Sequence, residues 1–100
     1  MLEHQRIKDR IIEIICKNIK TKHCKIFFFG SRVNGQASER SDIDIGVEAD
    51  ILIPQKTIRE IKDELEGIQT LNKFDLVDFK SVDAEFKQAA NKNIEVIYER

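Results

Sequence analysis

The sequence predicts an α/β (α+β) fold, a small mixed β-sheet with helices packed on one face, in a single domain over residues 1–100. Three observations predict it. Stretches with helical periodicity alternate with strand-like runs in the order αβ(α)βαβαβ. One of those runs, residues 42–48, reads Asp-Ile-Asp-Ile-Gly-Val-Glu, which gives a strand one polar and one apolar face. A chain of 100 residues also buries roughly two thirds of its unfolded surface, enough for one core without staples.

Each element has a local reason. Residues 5–20 read as a helix, because Ile7, Ile11, Ile14 and Ile15 recur at three- and four-residue spacing with charges between them. Residues 25–29 are β-rich and stop at Gly30, so they read as a strand. Ser31 is placed to cap a short helix over residues 32–38. Residues 42–48 form the alternating strand. Residues 54–66 read as a helix opened by Pro54, with Ile58, Ile61 and Leu65 on its inner face and Gly67 at its end. Residues 73–79 give a third strand, residues 82–92 a final helix, and residues 94–98 a short strand or extended tail. With the helices on one face, the other face of the sheet is expected to stay open and to carry polar groups.

Composition narrows the function classes. The hydrophobic fraction is 41% and the charged fraction 35%, a globular balance. The longest apolar run, residues 26–29, is far below the ~20 residues that cross a bilayer. The N-terminal residues lack the basic stretch and apolar core of a signal peptide, so a cytoplasmic protein is expected. Cys16 and Cys24 have no CxxC spacing and no histidine pair to complete a zinc pattern, and are expected as free thiols. A net charge of −1 argues against a protein that coats nucleic acid. The charges are uneven: residues 1–25 hold seven basic against three acidic side chains, and residues 39–85 hold thirteen acidic against six basic. The middle of the chain is where a cation would be drawn.

That middle contains the informative constellation. Asp42 and Asp44 lie two apart on a strand, so both carboxylates leave the same face. Ile43, Ile45 and Val47 point the other way, and burying them presents the aspartates. Like charges this close are unfavourable unless one is protonated or a cation lies between them, and Mg²⁺ suits a few carboxylates together with phosphate oxygens. Taken alone, two aspartates on an exposed strand are commonplace. Gly30-Ser31 ends a strand and starts a helix, where unpaired N–H groups and a hydroxyl can meet an anion. That pair alone also suits an ordinary capped turn. Asp75 stands in Phe74-Asp75-Leu76-Val77-Asp78-Phe79. If Phe74 and Leu76 face the core, Asp75 and Val77 face the open side. Asp78 has the opposite parity and is the weaker candidate, a cap or a surface ion pair.

Together these residues resemble the minimal nucleotidyltransferases of the polymerase-β superfamily. Gly30-Ser31, then residues 32–41, then Asp42-Ile43-Asp44, with a third carboxylate at Asp75 on a later strand, follow that family's pattern in order and spacing. The resemblance runs from the first strand to the Val96-Ile97-Tyr98 tail; the one departure is the lack of a glycine before that tail.

The resemblance implies a palm-like nucleotidyltransferase fold and two Mg²⁺ ions ~3.5–4 Å apart supporting in-line transfer of AMP from ATP. It implies Asp42 and Asp44 bridging both ions, and Asp75 completing the acceptor-side ion and helping to remove the acceptor proton. Gly30 and Ser31 would hold the β- and γ-phosphates, with Arg32 a candidate contact to the triphosphate. Larger relatives add a domain for the base or acceptor; this chain is expected to borrow a surface by assembling with a partner. The resemblance names one, a helical HEPN-domain RNase toxin, which such antitoxins neutralise by AMPylation on a tyrosine. The same chemistry on a small molecule or RNA, an inactive module that blocks a partner by contact, and a simple Ca²⁺ or Mg²⁺ binder are the alternatives. Retention of all three aspartates speaks against the inactive module, and Gly30-Ser31 has no role in the simple binder.

Overall fold

The computed structural model describes residues 2–30 and 42–100. Helix α1 (Leu2–Asn18) is followed by strands β1 (Cys24–Phe29) and β2 (Ile43–Ala49), then by helix α2 (Gln55–Glu66). Strand β3 (Phe74–Asp78), helix α3 (Ala84–Asn91) and strand β4 (Ile94–Glu99) complete it. The helix expected over residues 32–38 lies outside the described residues.

The strands form one mixed sheet in the order β3-β2-β1-β4. β1 runs antiparallel to both β2 and β4. β2 and β3 are parallel, with α2 as the crossover that a parallel pair requires. Residues 94–98, open between strand and tail in the sequence, are thus a paired strand. The ends of the parallel pair are pinned by backbone bonds, Ile43 N–H to the Lys73 carbonyl at 2.7 Å and Phe79 N–H to the Val47 carbonyl at 2.9 Å.

One face carries the larger core. Ile7, Ile11, Ile14 and Ile15 of α1 and Ile58, Ile61 and Leu65 of α2 pack on Ile26, Phe28, Ile43, Ile45, Val47 and Leu76 of the sheet. Each of these side chains is worth about 1.5–3 kcal/mol when fully buried. Lys17 pairs with Glu64, and Asn18 donates to the same carboxylate at 2.7 Å, which ties α1 to α2.

The mixed sheet is as expected, and α1 and α2 do share one face. The third helix does not join them. Phe27, Phe29 and Phe79 form a second apolar cluster with Val77, Val82, Ala90 and Ile94, and α3 lies over it. Phe27 and Phe29 alternate with Ile26 and Phe28, so this cluster is on the opposite side of the sheet. That face is therefore partly covered rather than open. The physical reason is in β1 itself: its run Lys25-Ile26-Phe27-Phe28-Phe29 has large apolar side chains on both sides, and each side needs a cover.

Gly46 makes that cover possible. It pairs with Phe27 across the antiparallel ladder. A Cβ there would stand 2.4 Å from the Phe27 ring and 2.7 Å from that of Phe79. The bare backbone lets both rings lie on the sheet, where they meet edge to face at 4.7 Å between centroids.

Candidate functional site

Asp44 and Asp75 occupy the end of this second face where β2 and β3 begin. Parity puts them there: Ile43, Ile45 and Val47 are buried under α1 and α2, so Asp44 must emerge on the other side. Asp42 stands one residue ahead of β2 and is exposed, while Asp44 is half-buried. In the parallel register Asp75 is the direct partner of Asp44, as Phe74 is of Ile43 and Leu76 of Ile45. The sequence-derived parity of β3 therefore holds.

The carboxylates act on one another. Burial pushes the Asp44 carboxyl above the ordinary carboxylate range, and the charges of Asp75 and Asp42 push it further the same way. Gly30 closes the other side of Asp44. It has φ +80°, a conformation that favours glycine, and a Cβ there would lie 2.4 Å from Asp44 Oδ2. The turn after β1 thus brings bare backbone against the central carboxylate. Ser31 and Arg32, the other residues assigned to phosphate, lie outside the described residues.

The donor set suits a hard cation, since all three groups offer carboxylate oxygens and the central one is both desolvated and repelled. It is not a finished cage. Among the described residues no group of three or more His, Cys, Asp or Glu side chains stands in an ion-holding arrangement.

Asp78 is a different kind of residue. It is buried on the helix side of the sheet, where its carboxylate accepts from Ile53 N–H at 2.8 Å and from Lys80 N–H at 2.9 Å. It is a cap, as one of its expected roles had it, and an interior one rather than a surface ion pair. A recess of about 250 Å³ opens at the other end of β1 and β2, near Lys25, Glu48, Asp50 and Arg100, and contains none of the constellation.

What the sequence reading missed is the aromatic wall beside the carboxylates. Phe29, the cross-strand partner of Asp44, packs against Phe79 and against Phe86 of α3. The three consecutive phenylalanines 27–29 were the available signal, since no strand can bury all of them on one face.

The sequence matches the family model described as Polymerase beta, Nucleotidyltransferase over residues 9–100. The chain belongs to the polymerase beta nucleotidyltransferase family. A search of curated proteins gives no match. Solved structures similar to this nucleotidyltransferase include a toxin–antitoxin crystal structure with AMP-PNP, at 27% identity and a TM-score of 0.77, covering 91% of this chain and 72% of that one. A second is a tri-AMPylated Shewanella oneidensis HEPN toxin in complex with MNT antitoxin, at 26% identity and TM-score 0.74, covering 94% and 71%. A third is a MntA-HpeT toxin–antitoxin variant with two aspartates, two positions apart, replaced by glutamate; it is 25% identical with TM-score 0.77, covering 91% and 72%. Among the described residues no helix of this nucleotidyltransferase is long and apolar enough to cross a membrane.

Proposed function

We propose that this nucleotidyltransferase transfers AMP from ATP, with Mg²⁺, to a tyrosine hydroxyl of a HEPN-domain toxin and so acts as its antitoxin in the cytoplasm. The observation that carries the reading is the register pair Asp44–Asp75 with Gly30 against Asp44, because it gathers carboxylates and bare backbone at one spot. Support for the donor comes from a similar complex with AMP-PNP, and support for the acceptor from one with an AMPylated HEPN toxin. The doubly substituted MntA-HpeT variant changes aspartates with the spacing of Asp42 and Asp44. The free thiols Cys16 and Cys24 suit a reducing compartment.

In this reading Asp42, Asp44 and Asp75 hold the metal. Asp42 and Asp75 are exposed, so their carboxylates can turn towards a cation beside Asp44. Bound Mg²⁺ would supply charge neutralisation on the phosphoryl oxygens and alignment of attacking and leaving oxygens. Gly30 offers unobstructed backbone to the triphosphate, with Ser31 and Arg32 as further phosphate contacts. The acceptor oxygen forms a bond to the α-phosphorus while the bond from that phosphorus to the α,β-bridging oxygen breaks. Pyrophosphate leaves with the electron pair, and the hydroxyl proton passes to the Asp75 carboxylate and on to water.

The test is intact-mass spectrometry of the HEPN partner after incubation with this chain, ATP and Mg²⁺. Additions of AMP are expected, absent with Asp42→Asn or with EDTA. An unmodified partner under conditions where the chain binds both it and ATP would overturn the proposal.

A further inference from the structure

The aspartates and Gly30 account for the phosphates of ATP and leave the base without a seat. Beside them, between α3 and the end of β1, is a recess of about 220 Å³ lined by Phe29, Gly30, Phe86, Ala89, Ala90 and Asn93. It shares Gly30 with the site, since that residue lines the recess and also abuts Asp44. It is smaller than the roughly 300–1,000 Å³ of sites that enclose whole drug-sized ligands, so its size suits one ring system rather than a nucleotide.

Its lining suits a purine. Phe86 is 41% exposed although its ring packs edge-on against Phe29 at 6.1 Å and lies 5.8 Å from Phe79. Those contacts fix the ring plane while part of the side chain stays in the open. The first turn of α3 is itself fixed, since Asp83 accepts from Phe86 N–H at 2.8 Å. Ala89 and Ala90 leave space on the next turn. Asn93, exposed just before β4, carries a donor and an acceptor on one amide, the pair that matches the N6 and N7 edge of adenine.

We propose that this recess seats the adenine of ATP, with Phe86 stacking on the base and Asn93 bonding its edge. The assignment rests on the ATP reading above. It makes α3 the specificity element of the site.

Calorimetry in Mg²⁺ tests it by comparing ATP, GTP and inorganic tripolyphosphate. The proteins are wild type, Phe86→Leu, which keeps apolar packing on Phe29 and Phe79, and Asn93→Ala, with melts by circular dichroism as a check of folding. Wild type should prefer ATP to tripolyphosphate. Phe86→Leu should lose about 5-fold or more of that preference, the scale of base–aromatic stacking, with tripolyphosphate affinity unchanged. Asn93→Ala should bring ATP and GTP towards equal affinity. An undiminished ATP preference in both folded variants would overturn the adenine seat. Binding of neither ATP nor tripolyphosphate by wild type would instead sink the ATP reading, and the seat with it.

Discussion

Asp44 and Asp75 are direct partners on adjacent parallel strands, and the half-buried Asp44 is held above the ordinary carboxylate range by burial and by the charges of Asp75 and Asp42. A cation between the groups would relieve the repulsion.

Asp44→Asn is expected to lower transfer at least about 100-fold, the scale for removing one electrostatic partner of a transition state. It should not lower stability at pH 7. The folded chain binds a proton at Asp44 more tightly than the unfolded chain, whose carboxyl titrates near 3.8. Stability therefore falls as pH rises from about 3.8 to the raised folded value, and the full penalty applies above it. The variant should melt at or above wild type at pH 7, with the gap closing as pH drops below 3.8. Thermal melts across pH, without divalent metal, measure this; a variant less stable than wild type at pH 7 would make Asp44 a structural residue.

Asp75→Ala and Asp78→Ala should separate cleanly. Asp75 is exposed, so its loss should cost no more than about 0.5 kcal/mol while removing activity. Asp78→Ala leaves the Ile53 N–H without its acceptor in the interior, at a cost of about 1–3 kcal/mol. Its melting temperature should fall by several degrees, with transfer retained by the folded fraction. Melts paired with single-turnover assays decide it, and a stable but inactive Asp78→Ala protein would contradict the assignment.

Gly30→Ala should impair the site through geometry alone. An alanine at φ +80° costs about 1–2 kcal/mol. Its Cβ would also press on Asp44 Oδ2 from 2.4 Å. A small displacement of a reacting group can cost up to about 100-fold in rate, so a drop of at least about 10-fold is expected. Steady-state kinetics in ATP and Mg²⁺ would show it; wild-type kinetics would mean that backbone approach to Asp44 is dispensable.

Gly46→Ala is expected to destabilise the chain by about 1–3 kcal/mol, the range for overpacking a core. The methyl would meet Phe27 and Phe79 at 2.4 and 2.7 Å, and both rings are buried within the second apolar cluster. Urea denaturation gives the number directly; an unchanged midpoint would show that the aromatic cluster is loose.

Much of the fold and site was legible because the signals were local. The isoleucines of α1 and α2 fall on one helical stripe, and the alternation at residues 42–48 leaves Asp42 and Asp44 no face but the one opposite Ile43 and Ile45. Phe74 and Leu76 fixed the side of Asp75 by the same period of two. The side taken by α3 is not legible in the sequence, because its few apolar residues do not say which sheet face they cover. Phe86 meets Phe29 and Phe79, which are distant from it in sequence or cross a turn to reach it.

Which residues share a face is already written in the chain, since strand and helix periods are set by backbone geometry within a few residues. What stands beside what comes from the packing of the elements. Strand order and register put Asp75 opposite Asp44, rather than on a distant strand of the same face. Burial of Ile53 turned Asp78 into an interior cap. The apolar second side of β1 drew α3 onto the aspartate face and left a recess at Gly30. These outcomes depend on contacts between segments far apart in the chain, chosen by which apolar surfaces remain uncovered once the local elements have formed.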